Sequence, residues 1–203
     1  MAAPIRNFTC QNRFQLISFL SINHSIFLIC TLVNLTNGNF YSHFVMDGQG
    51  REISLEVFRG KPALVVNVAS ECGYTQNHYE DLVWASQQPG IDEELHILAF
   101  PCNQFGQQEP KGAEEIIAFA RETYGATFPI FGKIDVIGEY ADPAYKYLSA
   151  SSGREPDWNF WKYLIDRQGR VIDAWGPTTQ VSEIYDFLLA ATQTPRLVRR
   201  DEF

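Results

Sequence analysis

An α/β fold, with a central mixed β-sheet flanked by helices, follows from three observations. Residues 63–69, Ala-Leu-Val-Val-Asn-Val-Ala, form an almost continuous apolar run rich in valine, the pattern of a strand covered on both faces. Strand-like and helix-like segments then alternate along the chain instead of segregating. Near the C-terminus, two strand-like runs flank Asp166-Arg167-Gln168-Gly169, as an antiparallel hairpin requires.

The elements follow in order. Phe44-Val45-Met46 and Ile53-Ser54-Leu55 flank Asp47-Gly48-Gln49-Gly50 and give a short hairpin. The 63–69 run is the first buried strand, and a helix spans Gln76 to Gln87, stopped by Pro89-Gly90. His96 to Phe100 supplies a second apolar strand. Between Ala113 and Tyr124, Ile116, Ile117, Phe119 and Ala120 share one helical side. Asp142-Pro143 reads as an N-cap followed by proline at the first helical position. Trp161–Ile165 and Arg170–Trp175 form the late hairpin, and Val181–Ala191 closes the chain as a helix with Ile184, Leu188 and Leu189 inward. This order suits a thioredoxin-like architecture.

Length and charge narrow the function. The chain has 203 residues, of which 45% are hydrophobic and 20% charged, enough for one core without disulfide staples. A net charge of -8 offers no electrostatic footprint for a phosphate backbone, so nucleic acid is not an expected partner. The first 46 residues hold no acid, only Arg6 and Arg13 ahead of an apolar run from Phe14 to Leu35. A signal peptide is the preferred reading, with residues 1–38 removed near Thr36-Asn37-Gly38. A signal-anchor stays open, because 22 residues are about enough to cross a bilayer, although Gln15, Asn23 and His24 interrupt them. Residues 39–195 are then the folded domain and 196–203 a tail whose Arg200-Asp201-Glu202-Phe203 is similar to a KDEL-type retrieval signal.

Four cysteines, Cys10, Cys30, Cys72 and Cys102, are too few and too scattered for a disulfide framework or a zinc site. Cys72 follows the first buried strand and precedes a helix, where strand ends and free helix N–H groups converge and favour a thiolate. In Cys72-Gly73-Tyr74-Thr75 a threonine stands where a second CxxC cysteine would be, which excludes dithiol exchange at that site. From spacing alone, a nucleophile and an inert buried thiol are equally open.

Three segments bear on that choice: Asn67–Thr75 (NVASECGYT), Leu98–Pro110 (LAFPCNQFGQQEP) and Trp158–Tyr163 (WNFWKY). In order, they resemble the signature blocks of the glutathione peroxidase family, in particular its cysteine-containing secretory-pathway branch, types seven and eight. The resemblance runs from about Phe40 to Ala191. It implies that Cys72 is the peroxidatic residue and that Gln108, Trp158 and Asn159 complete a catalytic tetrad. The chemistry is compatible, because indole and amide N–H groups can hold an anionic sulfur without adding a competing charge. The expected activity is reduction of hydrogen peroxide, and of organic hydroperoxides, through a Cys72 sulfenic acid re-reduced by glutathione or a protein disulfide isomerase. The competing readings are a thiol–disulfide oxidoreductase and a redox-sensing chaperone partner. No metal or organic cofactor is expected.

Two departures from the family pattern carry expectations. The helix after the Gln108 loop lacks the second cysteine of thioredoxin-dependent members, and the stretch from Phe131 to Trp158 is short for the assembly loop of tetrameric ones. A monomer is therefore expected; the N-terminal segment, the tail and the resemblance imply the endoplasmic reticulum lumen or secretion, with a membrane-anchored lumenal domain as the alternative. Cys102, in Phe-Pro-Cys-Asn at the end of the second strand, is either a resolving thiol for Cys72 or a packed, inert one. His78 and His96 are expected to be ordinary surface or helix-edge histidines, and Asp92-Glu93-Glu94 a solvated acidic patch.

Overall fold

The computed structural model describes residues 38–193. The apolar N-terminal run with its sequons at Asn7, Asn23 and Asn34, the thiols Cys10 and Cys30, and the Arg200–Phe203 tail lie outside the described residues.

The first hairpin pairs β1 (Phe44–Met46) with β2 (Glu52–Ser54), Val45 opposite Ile53. The main sheet contains β3 (Ala63–Val68), β4 (His96–Pro101), β5 (Lys162–Ile165) and β6 (Val171–Trp175) in the spatial order β4-β3-β5-β6. β3 runs parallel to β4 and antiparallel to β5, so the sheet is mixed as expected. Every residue of β3 is buried, which explains its unbroken apolar run.

Four helices cover the sheet: α1 (Thr75–Ser86), α2 (Ala113–Tyr124), α3 (Pro143–Ser152) and α4 (Tyr185–Gln193). The two-residue period of the strands divides their side chains between two cores. Leu64, Val66 and Val68 of β3 meet Ile97, Ala99 and Leu164 beneath α1, α2 and α4. Ala63 and Val65 meet Leu98, Phe100, Tyr163 and Ile165 beneath α3 and the N-terminal turn at Phe40–Ser42. Asp142 caps α3 as its sequence indicates, its Oδ1 accepting the Ala144 N–H at 2.8 Å with Pro143 in the first turn.

One turn chemistry is used twice. In Asp47-Gly-Gln-Gly-Arg51, Asp47 Oδ1 accepts the backbone N–H groups of Gln49 and Arg51 at 2.8 and 2.9 Å, and Arg51 Nε donates to Oδ2 at 2.7 Å. In Asp166-Arg-Gln-Gly-Arg170 the same bonds recur at 2.9, 2.9 and 2.7 Å between β5 and β6. Gly169 has φ of +85°, and a Cβ there would stand 2.6 Å from Asn39 Oδ1, so glycine is required both for its backbone and for its small size.

The closing helix differs from expectation. Instead of one helix over 181–191, a 3₁₀ turn at Ser182–Ile184 precedes α4. Asp81 on α1 accepts the Ser182 N–H at 2.8 Å and its hydroxyl at 3.3 Å, satisfying free donors at the tightened end. Ile184 and Leu188 are buried, but Leu189 is only partly so.

Candidate active site

The site forms where β3 and β4 deliver their C-terminal ends beside the start of α1. Cys72 lies in the turn between β3 and α1 and is 8% exposed. Thr75, in the position of a second CxxC cysteine, accepts the Cys72 N–H with its hydroxyl at 3.0 Å and donates to Ala69 O at 2.7 Å. That hydroxyl fixes the turn from inside. The Tyr74 N–H points to Cys72 Sγ at 3.5 Å, and α1 has no side-chain cap of its own. The sulfur therefore sits where the unsatisfied donors of a helix start converge.

The second wall is the loop after β4. Gly106 and Gln107 both have positive φ, +65° and +53°, in the turn that brings Gln108 back to Glu71. The Glu71 N–H donates to Gln108 O at 2.9 Å, tying this loop to the residue before the thiol. Asn159 Nδ2 donates to Gln108 Oε1 at 3.0 Å and to Phe105 O at 3.4 Å. Gln108 and Asn159 are thus brought together. Their contact engages the Gln108 side-chain oxygen and does not use its NH₂ donor.

The third wall, Trp158–Trp161, is clasped by a residue that sequence reasoning did not single out. Asn67, buried within β3, donates from Nδ2 to Trp158 O at 3.0 Å and accepts the Trp161 N–H on Oδ1 at 2.9 Å. Its backbone oxygen takes the Phe160 N–H at 2.7 Å, with Phe160 held at φ of +67°. An amide in the middle of an otherwise apolar strand is the signal that marks it. Trp158 is 36% exposed, with its ring 6.1 Å from that of Phe105. Tyr74, Asp157, Trp158, Trp161 and Pro177 line an open cleft of about 560 Å³ beside the thiol turn. Trp161 Nε1 donates to Asp157 Oδ1 at 2.6 Å.

Cys102 is not brought to this site. It continues the alternation of Leu98 and Phe100 into the core opposite the one that contains Cys72. Its N–H donates to Val68 O at 3.0 Å, its sulfur approaches Gln104 Oε1 at 3.6 Å, and burial pushes the thiol up to about 11. Both cysteines are free.

His78 corrects the surface expectation. It is 1% exposed, stacks on Phe160 at 4.9 Å and hydrogen-bonds Pro177 O through Nε2 at 2.8 Å. Burial, reinforced by Lys162, lowers it to about 4; the apolar stripe of α1 carries it inward because its ring packs as an aromatic. Lys162 is itself buried, donates to Phe160 O at 2.7 Å, and is lowered by burial to about 7. His96 is half-buried at the start of β4, its ring 5.2 Å from Phe58, and Asp92, Glu93 and Glu94 are exposed as expected. Among the described residues, no group of three or more His, Cys, Asp or Glu side chains is placed to hold a metal ion.

Comparison with known proteins decides the family. The sequence pattern described as Glutathione peroxidase matches residues 40–149. Human glutathione peroxidase 7 is 48% identical over 164 residues, covering 81% of this chain and 87% of that protein. The chain belongs to the glutathione peroxidase family. It is a thiol-dependent peroxidase, an oxidoreductase of a family that acts on hydroperoxides at the expense of thiols. Mouse probable glutathione peroxidase 8 is also 48% identical, over 146 residues that cover 72% of this chain and 69% of that one. Among solved glutathione peroxidases, the crystal structure of Trgpx in apo form has a TM-score of 0.64 at 36% identity, covering 79% of this chain and 99% of its own. That of T. cruzi GPX1 has a TM-score of 0.61 at 32% identity, covering 76% and 97%. A thioredoxin-family thiol:disulfide interchange protein from Chlorobium tepidum, 16% identical with a TM-score of 0.55, shares the fold. The architecture is thioredoxin-like.

Proposed function

We propose that peroxide is reduced at Cys72, with Gln108, Trp158 and Asn159 as the hydrogen-bonding groups around it. The observation that carries the reading is the Asn159 to Gln108 bond at 3.0 Å, within a loop whose Gln108 oxygen is held by Glu71, next to the thiol. In the first step the Cys72 thiolate attacks one peroxide oxygen; the S–O bond forms, the O–O bond breaks, and the departing oxygen takes a proton to leave as water or alcohol. Sulfur is oxidised to a sulfenic acid. One thiol then displaces water to give a mixed disulfide, and a second thiol releases the reduced enzyme and the reductant's disulfide.

The aromatic cleft beside the thiol turn is where the reductant approaches, and glutathione or a protein disulfide isomerase is the assigned class. Cys102, in the opposite core, acts as a packed thiol in this cycle, so the reducing thiol attacks Cys72 directly. The enzyme works as a monomer in the endoplasmic reticulum lumen, delivered by residues 1–38 and retained through the 196–203 tail, with 39–195 as the catalytic domain. Intact-mass spectrometry of reduced protein from secretory-pathway material tests this. Expected are loss of the leader, a gain of one oxygen on Cys72 after brief peroxide treatment, and no modification in Cys72→Ser. Loss of two hydrogens, mapped to a Cys72–Cys102 disulfide, would instead assign Cys102 as the resolving thiol. Secretion unchanged by deletion of Asp201-Glu202-Phe203 would remove the retrieval signal.

A further inference from the structure

Glu109, next to Gln108, is fully buried. Its Oε1 accepts the Ser70 hydroxyl at 2.6 Å, while Oε2 is buried without a partner. Its own N–H donates to Asn103 Oδ1 at 2.8 Å. Ser70 and Glu71 precede Cys72, and Gln108 and Glu109 end the loop after β4. The side-chain bond Ser70–Glu109 and the backbone bond Glu71–Gln108 thus form two adjacent rungs between the two walls of the site. An orphaned oxygen in an apolar surrounding is costly for a carboxylate and far less so for a carboxylic acid.

We propose that Glu109 is a positioning residue for the peroxidase reaction: its carboxyl fastens the Gln108 loop to the Cys72 turn, and the negative charge it acquires on ionisation weakens reaction at the thiol. This rests on the assignment of Cys72 and Gln108 above.

The groups around Glu109 support the proton's presence. Burial raises it to about 7, opposed by the Ser70 bond and Lys133 and assisted by Glu71. Tyr79 on α1 and Cys102 after β4 also feel its charge, and both are held in their neutral forms by burial. An ionised Glu109 would place a second negative charge in the same region as the Cys72 thiolate, and like charges disfavour each other's ionised forms. Proton loss from Glu109 therefore acts on the reaction by opposing the thiolate, while the Ser70 hydroxyl can donate to the carboxyl in either state.

Glu109→Gln separates these roles, since glutamine accepts the Ser70 hydroxyl but cannot ionise. Glu109→Ala removes the rung altogether. The readout is the second-order rate of Cys72 oxidation by hydrogen peroxide, followed by intact mass between pH 6 and 8.5 on protein shown to be folded by circular dichroism. Expected is a Glu109→Gln to wild-type rate ratio near one at pH 6 that grows to about tenfold at pH 8, the factor by which a group titrating near 7 is then ionised. Glu109→Ala should be slower than Glu109→Gln at every pH. A ratio that does not change with pH, or equal rates for the Gln and Ala variants, would overturn the proposal. Failure of wild-type Cys72 to react at all would instead overturn the site assignment. If Glu109→Ala does not fold, Ser70→Ala removes the same rung from the other side and should slow oxidation at pH 6; an unchanged rate there overturns the proposal equally.

Discussion

At the scale of single residues, the proposed site sets amide donors beside one sulfur, and the donors are unequal. Asn159 is buried and spends its Nδ2 on Gln108 and Phe105, whereas Gln108 keeps its own NH₂ to offer. Gln108→Ala should cost about 10- to 1000-fold in peroxide rate, the range for losing one preorganised donor in a water-poor site. Asn159→Ala should fall in the same range by letting Gln108 turn; stopped-flow peroxide consumption checks both. Glu109 also predicts a stability signature. Its folded pKa of about 7 lies above the ordinary 4.5, so its contribution to stability is complete below about pH 4.5 and is lost as pH rises through 7. The integrated loss is about 3 kcal/mol at most. In urea titrations the gap between Glu109→Gln and wild type should widen between pH 4.5 and 7 and then level off. Cys72, Gln108, Trp158 and Asn159 were open to proposal from sequence because each stands in a signature block. Glu109, Asn67 and His78 were not, since their meaning depends on burial. A polar side chain reads as solvated in sequence until a neighbour from 39 residues away, as Ser70 is to Glu109, is known to meet it.

At the scale of elements, local chemistry explains what was readable. The Asp-x-Gln-Gly-Arg turns carry their own hydrogen bonds within five residues, so both hairpins could be placed from sequence to within a residue or two. Asp142-Pro143 likewise fixes the start of α3 through contacts inside its first turn. The break ahead of α4 has no local signal, because the 3₁₀ turn at Ser182–Ile184 answers to Asp81, about a hundred residues earlier. The placement of Cys102 could not be read for a related reason. Cys102 follows the alternation of β4 into one core, whereas Cys72, in the turn beyond the end of β3, packs into the other. The second turn is the place to test how far such local rules reach. Gly169→Ala should destabilise the domain by about 1–3 kcal/mol, for its positive φ and for the encounter with Asn39. Gly50→Ala should cost less, since nothing lies within 4 Å of the added Cβ. Equal shifts in the two urea midpoints would contradict that ranking.

At the scale of the whole molecule, the order β4-β3-β5-β6 with β3 at the centre gives one end of the sheet to chemistry and the other to connection. Cys72, the Gln108 loop and Trp158–Trp161 gather at the end where β3 and β4 finish and β5 begins. The opposite end holds the Asp166–Gly169 turn, and there Phe40 N–H donates to Gly169 O at 3.0 Å while Arg59 bridges Asn39 Oδ1 and Gln168 O. The described chain therefore enters the domain at the pole facing away from its thiol. Anything joined ahead of Gly38, whether an affinity handle, a fluorescent fusion or a linker to a solid support, starts from that far pole. Domain starting at Gly38 and captured on a sensor surface through an added N-terminal biotin should consume peroxide at the rate of the free protein. Capture through a biotin coupled to an azide-bearing amino acid in place of Thr178, at the rim of the aromatic cleft, should shield the thiol and slow it. Equal rates in the two orientations would show that the poles of the sheet do not divide entry from catalysis in the way the strand order implies.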